Sequence, residues 1–428
     1  MRIGIIGGGA SGMILASKLT NHDVTLIERN NKLGKKLLLT GNGKCNFTNM
    51  CFDDLNTIFN NDFAINLYKK YDNLSFMNFF KEIGIVPKIE THKNIQYVYP
   101  NSNKSIDVYY CLLDKIKSNN VKIEYNSYVK SIKIGSCFNV ILDDGRVLKY
   151  DRIVLATGGQ SYKHTGSDGT GYRLAISLGH NIKTTSPGLT SLKFDFANRK
   201  IKFSGKCRIN ATLNYIDSNN CFSEYGEIQF RDNIISGIPV LNLSSIIRRS
   251  TSDNKTKIIR LDFSKSFIEC YNNCFSIADK DIYEKSSISL DTKRELVSQL
   301  LFDRWQHTKY RHTKDFLCGF LPNEISEVLL NVSDLSNKNI LDFKNNDFER
   351  LSENIISLEL NLSDSMDFDD AQITLGGIDI TQVDSNSLES KIVKGLYFTG
   401  EVLDIDGICG GYNLQLAYSS ASVVADNI

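Results

Sequence analysis

The sequence predicts an α/β protein in which one nucleotide-binding-type fold is built from both ends of the chain and interrupted by an inserted β-rich domain plus a small helical part. Three observations predict it. The chain opens on a strand, a glycine turn, a helix and a second strand, "MRIGIIGGGASGMILASKLTNHDVTLIE". Two further apolar strands, "RIVLATGG" at 152–159 and "GLYFTGE" at 395–401, stop on Thr-Gly much later in the chain. Between them, from about residue 191, the texture changes to short alternating runs such as "KCRINATLNYI". A chain of 428 residues has room for two or three domains of about 100–200 residues each. The expected division is 1–190, 191–365 and 366–428, the last piece returning to the first domain.

Residues 2–6 read as a short buried strand. Gly7, Gly9 and Gly12 follow it with the G-x-G-x-x-G spacing. The first glycine allows the tight turn, the second leaves room for a pyrophosphate, and the third lets helix and strand pack closely. Met13, Leu15, Ala16 and Leu19 fall at helical spacing, which puts Ala10 and Ser11 in the first helical turn. Free N–H groups and the positive end of the helix dipole there face an anion. Residues 24–28 form the second strand, and its last residue, Glu28, is placed to accept hydrogen bonds from ribose hydroxyls and to repel a 2′-phosphate. FAD or NAD fits that acid; NADP does not.

A simple NAD dehydrogenase would continue in one run of strands and helices. Here 29–49 is a Lys-, Gly- and Asn-rich loop segment, and the nucleotide fold resumes only at 152 and 395. The resulting discontinuous Rossmann-like domain favours FAD, with Thr157, Gly158 and Gly400 at the carboxyl edge of the sheet, where backbone can approach a ligand. Residues 55–83 read as helical with interleaved aromatics, 121–150 as a hairpin turning at Asp144-Gly145, and 168–180 as a helix ending at Gly179. Residues 191–265 read as β-rich, and 275–335 as helical, with Leu296, Leu300 and Leu301 and then Ile325, Val328 and Leu329 on one side. The last helix, 412–428, starts after Gly410-Gly411. It offers a second helix N-terminus, suited to the N1–C2=O edge of a flavin, which becomes anionic on reduction. Such an end stabilises a charge by about 0.3–1 kcal/mol when exposed and up to about 2 when partly buried.

Composition sets the limits. The net charge of +1 gives no general attraction to nucleic acid or to an acidic membrane. No apolar run approaches the ~20 residues of a membrane span, and the opening residues do not read as a signal peptide. The ten cysteines are scattered; Cys270 and Cys274 are the closest pair, without a second pair or histidine for zinc, so no metal is expected. A small-molecule substrate, reduced thiols and a cytoplasmic location are the expectations. Oligomeric state is not legible.

The segments "IGGGASGM", "GKKLLLTGNGKCNFTN", "LATGGQSYKHTGSDGTGYRLAISLGH", "AQITLGGIDI", "ESKIVKGLYFTGEVLDIDG" and "GGYNLQLAYSSA" span the whole chain. With them the sequence resembles the BaiN-like family of NAD(P)/FAD-dependent oxidoreductases, also described as aminoacetone-oxidase-like, within the glutathione-reductase superfamily of FAD folds. The resemblance implies FAD held by the two termini and redox chemistry on a small organic substrate. It implies that Lys36 and Thr40 contact phosphate or ribityl groups and that Gly41, Cys45 and Asn46 lie near the flavin ring. Glu401 would bind ribityl hydroxyls or pyrophosphate through a water, and Val129 would offer backbone hydrogen bonds to adenine. Arg29, Gly411, Asn413 and Leu414 complete the cofactor-binding candidates. Lys44 stands where the family usually has Arg and Asn42 where Gly is common; Lys44 keeps the charge and loses the bidentate geometry.

A flavin carries the hydride itself, and the protein supplies orientation and a proton. Tyr162 and His164 in "GGQSYKHTG" are the catalytic candidates, with hydrogen bonding to loop backbone as their plainer role. Cys45 has no CxxC partner and reads as packing. Arg231 and "SGIP" at 236–239 are candidates to reach the substrate, and Trp305 reads as core or cleft lining. The leading expectation is a reductase with NAD(P)H as transient reductant. An oxidase of a small amine is the alternative, and an FAD-binding RNA-associated or regulatory protein is the third reading.

Overall fold

The structure, a computed structural model, describes residues 1–92, 95–196, 201–217, 221–250, 257–266, 268, 289–309, 311–365 and 367–428. The chain divides into two compact units, Met1–Gly188 with Asp367–Ile428, and Leu189–Met366.

The first unit is a Rossmann-type domain around a five-stranded sheet ordered Leu396–Phe398, Arg152–Leu155, Arg2–Ile6, Asp23–Ile27, Lys122–Glu124. All neighbours are parallel, with Ile3 against Arg152, Ile3 against Val24, Val154 against Tyr397 and Thr25 against Lys122. Ile3, Ile5, Leu26, Ile153, Leu155 and Phe398 are fully buried, as expected of parallel strands covered on both faces. The four strands legible from the sequence stand side by side, from one edge through the centre of the sheet.

Two elements differ from the sequence reading. The nucleotide fold does not break off after the second strand. The helix Ser105–Ser118, with Val108, Leu112 and Ile116 buried, packs on the first helix and leads into Lys122–Glu124. The ordinary crossover is present, postponed by the helices and hairpin of residues 55–100. Its delay hid it, because "SIDVYYCLLDKIKS" carries normal helical spacing. The second difference concerns 121–150. Its first strand leaves to join the parallel sheet, and the remainder is a three-stranded meander, Val129–Ile134, Phe138–Leu142 and Val147–Tyr150, with the Asp144-Gly145 turn between the last two.

The second unit is a closed six-stranded barrel ordered Leu192–Phe196, Ile234–Ser236, Cys221–Arg231, Lys206–Ile216, Lys257–Asp262, Leu358–Ser365, with Phe194 paired to Leu362 at the closure. Alternation in "KCRINATLNYI" buries Cys207, Ile209, Ala211, Leu213 and Tyr215. Helices Leu290–Thr308, Asn323–Val332 and Asn345–Ile356 belong to this unit. So does Ile238–Arg249, which the β-rich reading missed. "SGIP" starts that helix. Gly237 sits at φ +113, where a Cβ would overlap Glu227 O, and Pro239 occupies the first turn. Arg231 is exposed at the end of its strand. Trp305 donates Nε1–H to Ile340 O (2.8 Å) and stacks on Phe302 against the core. Cys270, Cys274, residues 275–288 and the patch 218–220 lie outside the described residues.

Candidate functional site

The site begins where the first strand ends. Gly7, at φ +108, donates its N–H to Ile27 O (2.9 Å), and a Cβ there would overlap Ala156 O. A Cβ on Gly12 would overlap Gly7 O, so helix and turn are in contact at that point. Gly9 is the opposite case. It caps the helix Ala10–Lys18 in extended conformation, and a Cβ built on it meets nothing within 4 Å. That helix has no side-chain cap and no acid in its first turn. Its leading amides therefore face the space beside Gly9 without a side-chain acceptor among the described residues.

Glu28 is buried at the carboxyl end of the second strand. Its Oε2 accepts from Gly8 N–H (2.9 Å), and its Oε1 accepts from the backbone (2.8 Å) and side chain (2.7 Å) of Asn30. These bonds aim the carboxylate at the glycine turn. Arg29 turns away onto Asp168 (2.6 Å) and lies over the Tyr128 ring at 5.0 Å. Val129 is buried and paired with Leu142, two residues after Ser127, whose N–H donates to Glu28 O (2.9 Å). Glu28, Arg29 and Val129 thus share one end of the site.

The C-terminal glycines close on the first helix. Gly400 sits at φ +75, its N–H donates to Ser420 Oγ (2.9 Å), and a Cβ on it would lie 2.5 Å from Ser11 Oγ. Thr157 and Gly158 follow the neighbouring strand Arg152–Leu155, and Glu401 Oε2 lies 3.9 Å from where a Gly158 Cβ would be. Lys36 Nζ donates to Glu401 Oε2 (2.8 Å), Glu401 Oε1 (3.2 Å) and Ser161 Oγ (2.8 Å). Thr374 N–H (2.7 Å) and Ser161 Oγ (3.1 Å) also donate to Glu401 Oε1. Four distant segments meet on this carboxylate.

The second helix start is built by the loop 37–49. Gly411 stands at φ +93, with Thr48 O 2.8 Å from its missing Cβ, and the helix Tyr412–Asn427 has no side-chain cap and no acid in its first turn. Asn49 Nδ2 donates to Gly410 O (3.1 Å), and Asn413 holds the loop by exchanging bonds with Gly407 N–H and O (both 2.9 Å). Leu414 packs half-buried on the core. Within the loop, Gly41, Asn42 and Cys45 all have positive φ. Thr40 Oγ1 donates to Leu37 O (2.6 Å), and the Asn46 amide nitrogen donates to Thr48 O (3.0 Å) and Val98 O (3.2 Å) when turned inward. Cys45 is fully buried, and burial pushes its thiol up to about 12. It is a packed, protonated thiol at neutral pH.

Tyr162 is half-buried at φ +57, with Lys36 Nζ 5.9 Å from its ring and the exposed His164 ring edge-on at 5.7 Å. Burial, and then the nearby Asp370 charge, raise its hydroxyl pKa. Ser161, Thr374, Ser167 and Tyr172 belong to the same region and were not picked out from the sequence. Among the described residues the Ser167 and Tyr172 hydroxyls are buried without a partner, next to Gly158 and Gly159. Small polar residues of this kind carry no period or spacing that would mark them. Among the described residues no three or more His, Cys, Asp or Glu gather as a metal-ligand set, and no helix is long and apolar enough to cross a membrane.

Two uncapped, glycine-led helix starts, an open space at Gly9 and an acid at the second strand end fit an extended dinucleotide. Fold and site define a Rossmann-type dinucleotide-binding protein. Residues 1–427 match the family described as HI0933-like protein Rossmann domain, and the chain belongs to that family, the BaiN-like group of FAD-dependent oxidoreductases. The chain is 32% identical over 429 residues to a 3-dehydro-bile acid delta(4,6)-reductase of Clostridium scindens, covering 98% of this chain and 97% of that protein. It is 26% identical over 428 residues to a ribosomal RNA dihydrouridine synthase of Escherichia coli, covering 99% and 97%. Among solved structures, the 3-ketosteroid-delta4-(5alpha)-dehydrogenase of Rhodococcus jostii is similar at TM-score 0.48 and 12% identity, covering 100% of this chain and 96% of that one.

Proposed function

We propose that this chain is a cytoplasmic FAD-dependent reductase that saturates a carbon–carbon double bond conjugated to a carbonyl, with NAD(P)H as the transient source of electrons. The observation that carries the cofactor is the open space at Gly9, faced by the uncapped start of the first helix and flanked by Glu28. The reaction class draws on the two curated relatives, whose names share one chemistry, saturation of a C=C bond. When bound, FAD supplies hydride from N5.

The chain's own residues have three tasks in this reading. The amides of residues 10–12 hold the pyrophosphate, and Glu28 holds the adenosine ribose. Residues 41–46 and the amides of the C-terminal helix start, beyond Gly411, place the flavin ring. Tyr162 delivers the proton to the carbon next to the carbonyl: its hydroxyl keeps its proton through neutral pH because burial raises its pKa. His164, exposed beside it, connects that proton to solvent. The buried, protonated Cys45 suits hydride chemistry without a thiol relay.

The net charge of +1 favours a small molecule over a polyanion. Ribosomal RNA is the second reading, favoured by the relative named as a dihydrouridine synthase, whose match runs along nearly the whole chain. Anaerobic titration of the FAD-loaded protein with NADH and NADPH tests the proposal. Bleaching of the flavin, followed by reoxidation on adding an enone, is the expected result. Indifference to both nicotinamides, with reduction by a small amine and fast reoxidation by oxygen, would favour the oxidase instead.

A further inference from the structure

We propose that Lys36 is a positioning residue that neutralises Glu401, allowing a carboxylate to face the dianionic pyrophosphate, and that this pairing, rather than a phosphate contact, is its contribution to cofactor binding. The inference rests on the FAD reading above and revises the role the family resemblance implies for Lys36.

An ammonium has three hydrogens to donate. Lys36 Nζ already has three acceptors within bonding distance: Glu401 Oε2 at 2.8 Å, Glu401 Oε1 at 3.2 Å and Ser161 Oγ at 2.8 Å. The two oxygens of one carboxylate lie too close together to take separate hydrogens of a tetrahedral ammonium, so they share one and Ser161 takes another; the ammonium's charge is directed onto the Glu401 carboxylate. The Glu401 oxygens are unequal. Oε1 also takes Thr374 N–H and Ser161 Oγ, whereas Oε2 accepts from Lys36 alone among the described residues and lies on the Gly158 side. Oε2 is therefore the oxygen with room for a ligand hydroxyl or a bridging water.

The position of Glu401 makes its charge matter. It follows Gly400, which lies directly against Ser11 in the first turn of the first helix. The same turn offers its amides to the pyrophosphate. A bare carboxylate there would repel the cofactor, and the half-buried setting weakens solvent screening. Lys36 removes that repulsion, and Ser161 and Thr374 fix the carboxylate's direction. Removing one partner of such a pair leaves an uncompensated charge, whereas removing both does not.

The test is a double-mutant cycle read as FAD affinity of the apoprotein, by quenching of flavin fluorescence. The proteins are wild type, K36M, E401Q and K36M/E401Q. The expected result is that K36M weakens binding by about 30-fold and E401Q by about 5-fold, while the double variant returns to within about threefold of E401Q. The deficit of K36M should also shrink in high salt, as screened repulsion does. Single-variant losses that multiply in the double variant would overturn the proposal and make Lys36 a direct cofactor ligand. Melting curves without FAD identify a variant that does not fold, and K36Q then takes the place of K36M in the cycle. Wild-type protein that binds no FAD fails the cofactor reading itself; wild type that binds FAD with multiplying losses fails only the neutralisation.

Discussion

Replacing Gly9 by Ala separates ligand space from folding. The new methyl group meets no atom within 4 Å, and the backbone at φ −77 suits any residue. Alanine is a poorer N-cap than glycine by about 0.5–1 kcal/mol. Lower freedom in the unfolded chain returns about 0.4–1 kcal/mol. The melting temperature of the apoprotein should therefore move by no more than about 2 °C. The cofactor suffers instead, because the methyl fills the volume a phosphate needs to reach the helix amides. Losing two charge-assisted hydrogen bonds at about 1.5 kcal/mol each gives about 3 kcal/mol, or on the order of 100-fold in affinity. Titration of the apoprotein with FAD, beside a melting curve without it, measures both quantities. Gly12→Ala is the control, since its methyl would overlap Gly7 O and should disrupt folding. Undiminished FAD binding by Gly9→Ala would refute the reasoning, as would a loss of apoprotein stability matching that of Gly12→Ala.

Two more outcomes follow from the site. Tyr162→Phe should lower kcat by about 100-fold or more while leaving FAD affinity within about twofold. The sign of its pH dependence is set by a raised pKa: the donor proton is present at neutral pH and lost only as pH climbs above the usual tyrosine range, so the variant should lose the alkaline fall of the kcat profile. A kcat within threefold of wild type would remove Tyr162 from the reaction. Cys45, with its thiol pushed up to about 12, should resist iodoacetamide at pH 8 in the folded protein and react only on unfolding, which mass spectrometry of the alkylated peptide reads directly. Rapid labelling of native protein at that position would show that the thiol is accessible.

The first turn was legible because each of its glycines answers a local steric demand within a dozen residues. Gly7, Gly12 and Glu28 stand where spacing alone puts them. The late strands were legible for a related reason: buried parallel strands read as unbroken apolar runs that stop on glycine. The crossover helix Ser105–Ser118 was hidden by its distance from the strand it follows. Closure of the barrel by Leu358–Ser365 was equally hidden, since pairing across most of a domain leaves no local trace. The meeting of Lys36 with Glu401, and of both with Ser161 and Thr374, belongs to the same class. Each is an ordinary polar residue, and only tertiary contact gives it a role.

The seating of Gly400 on Ser11, with the edge strand Leu396–Phe398 laid along Arg152–Leu155, has a consequence for biosynthesis. A nascent chain leaving the ribosome carries this glycine turn long before Gly400, the residue that completes it. The cofactor cradle therefore cannot template early folding, because it is incomplete until Gly400 has been made. A transcript cut short anywhere upstream of codon 396 yields a polypeptide with an exposed sheet edge and half a cradle, an obvious substrate for degradation.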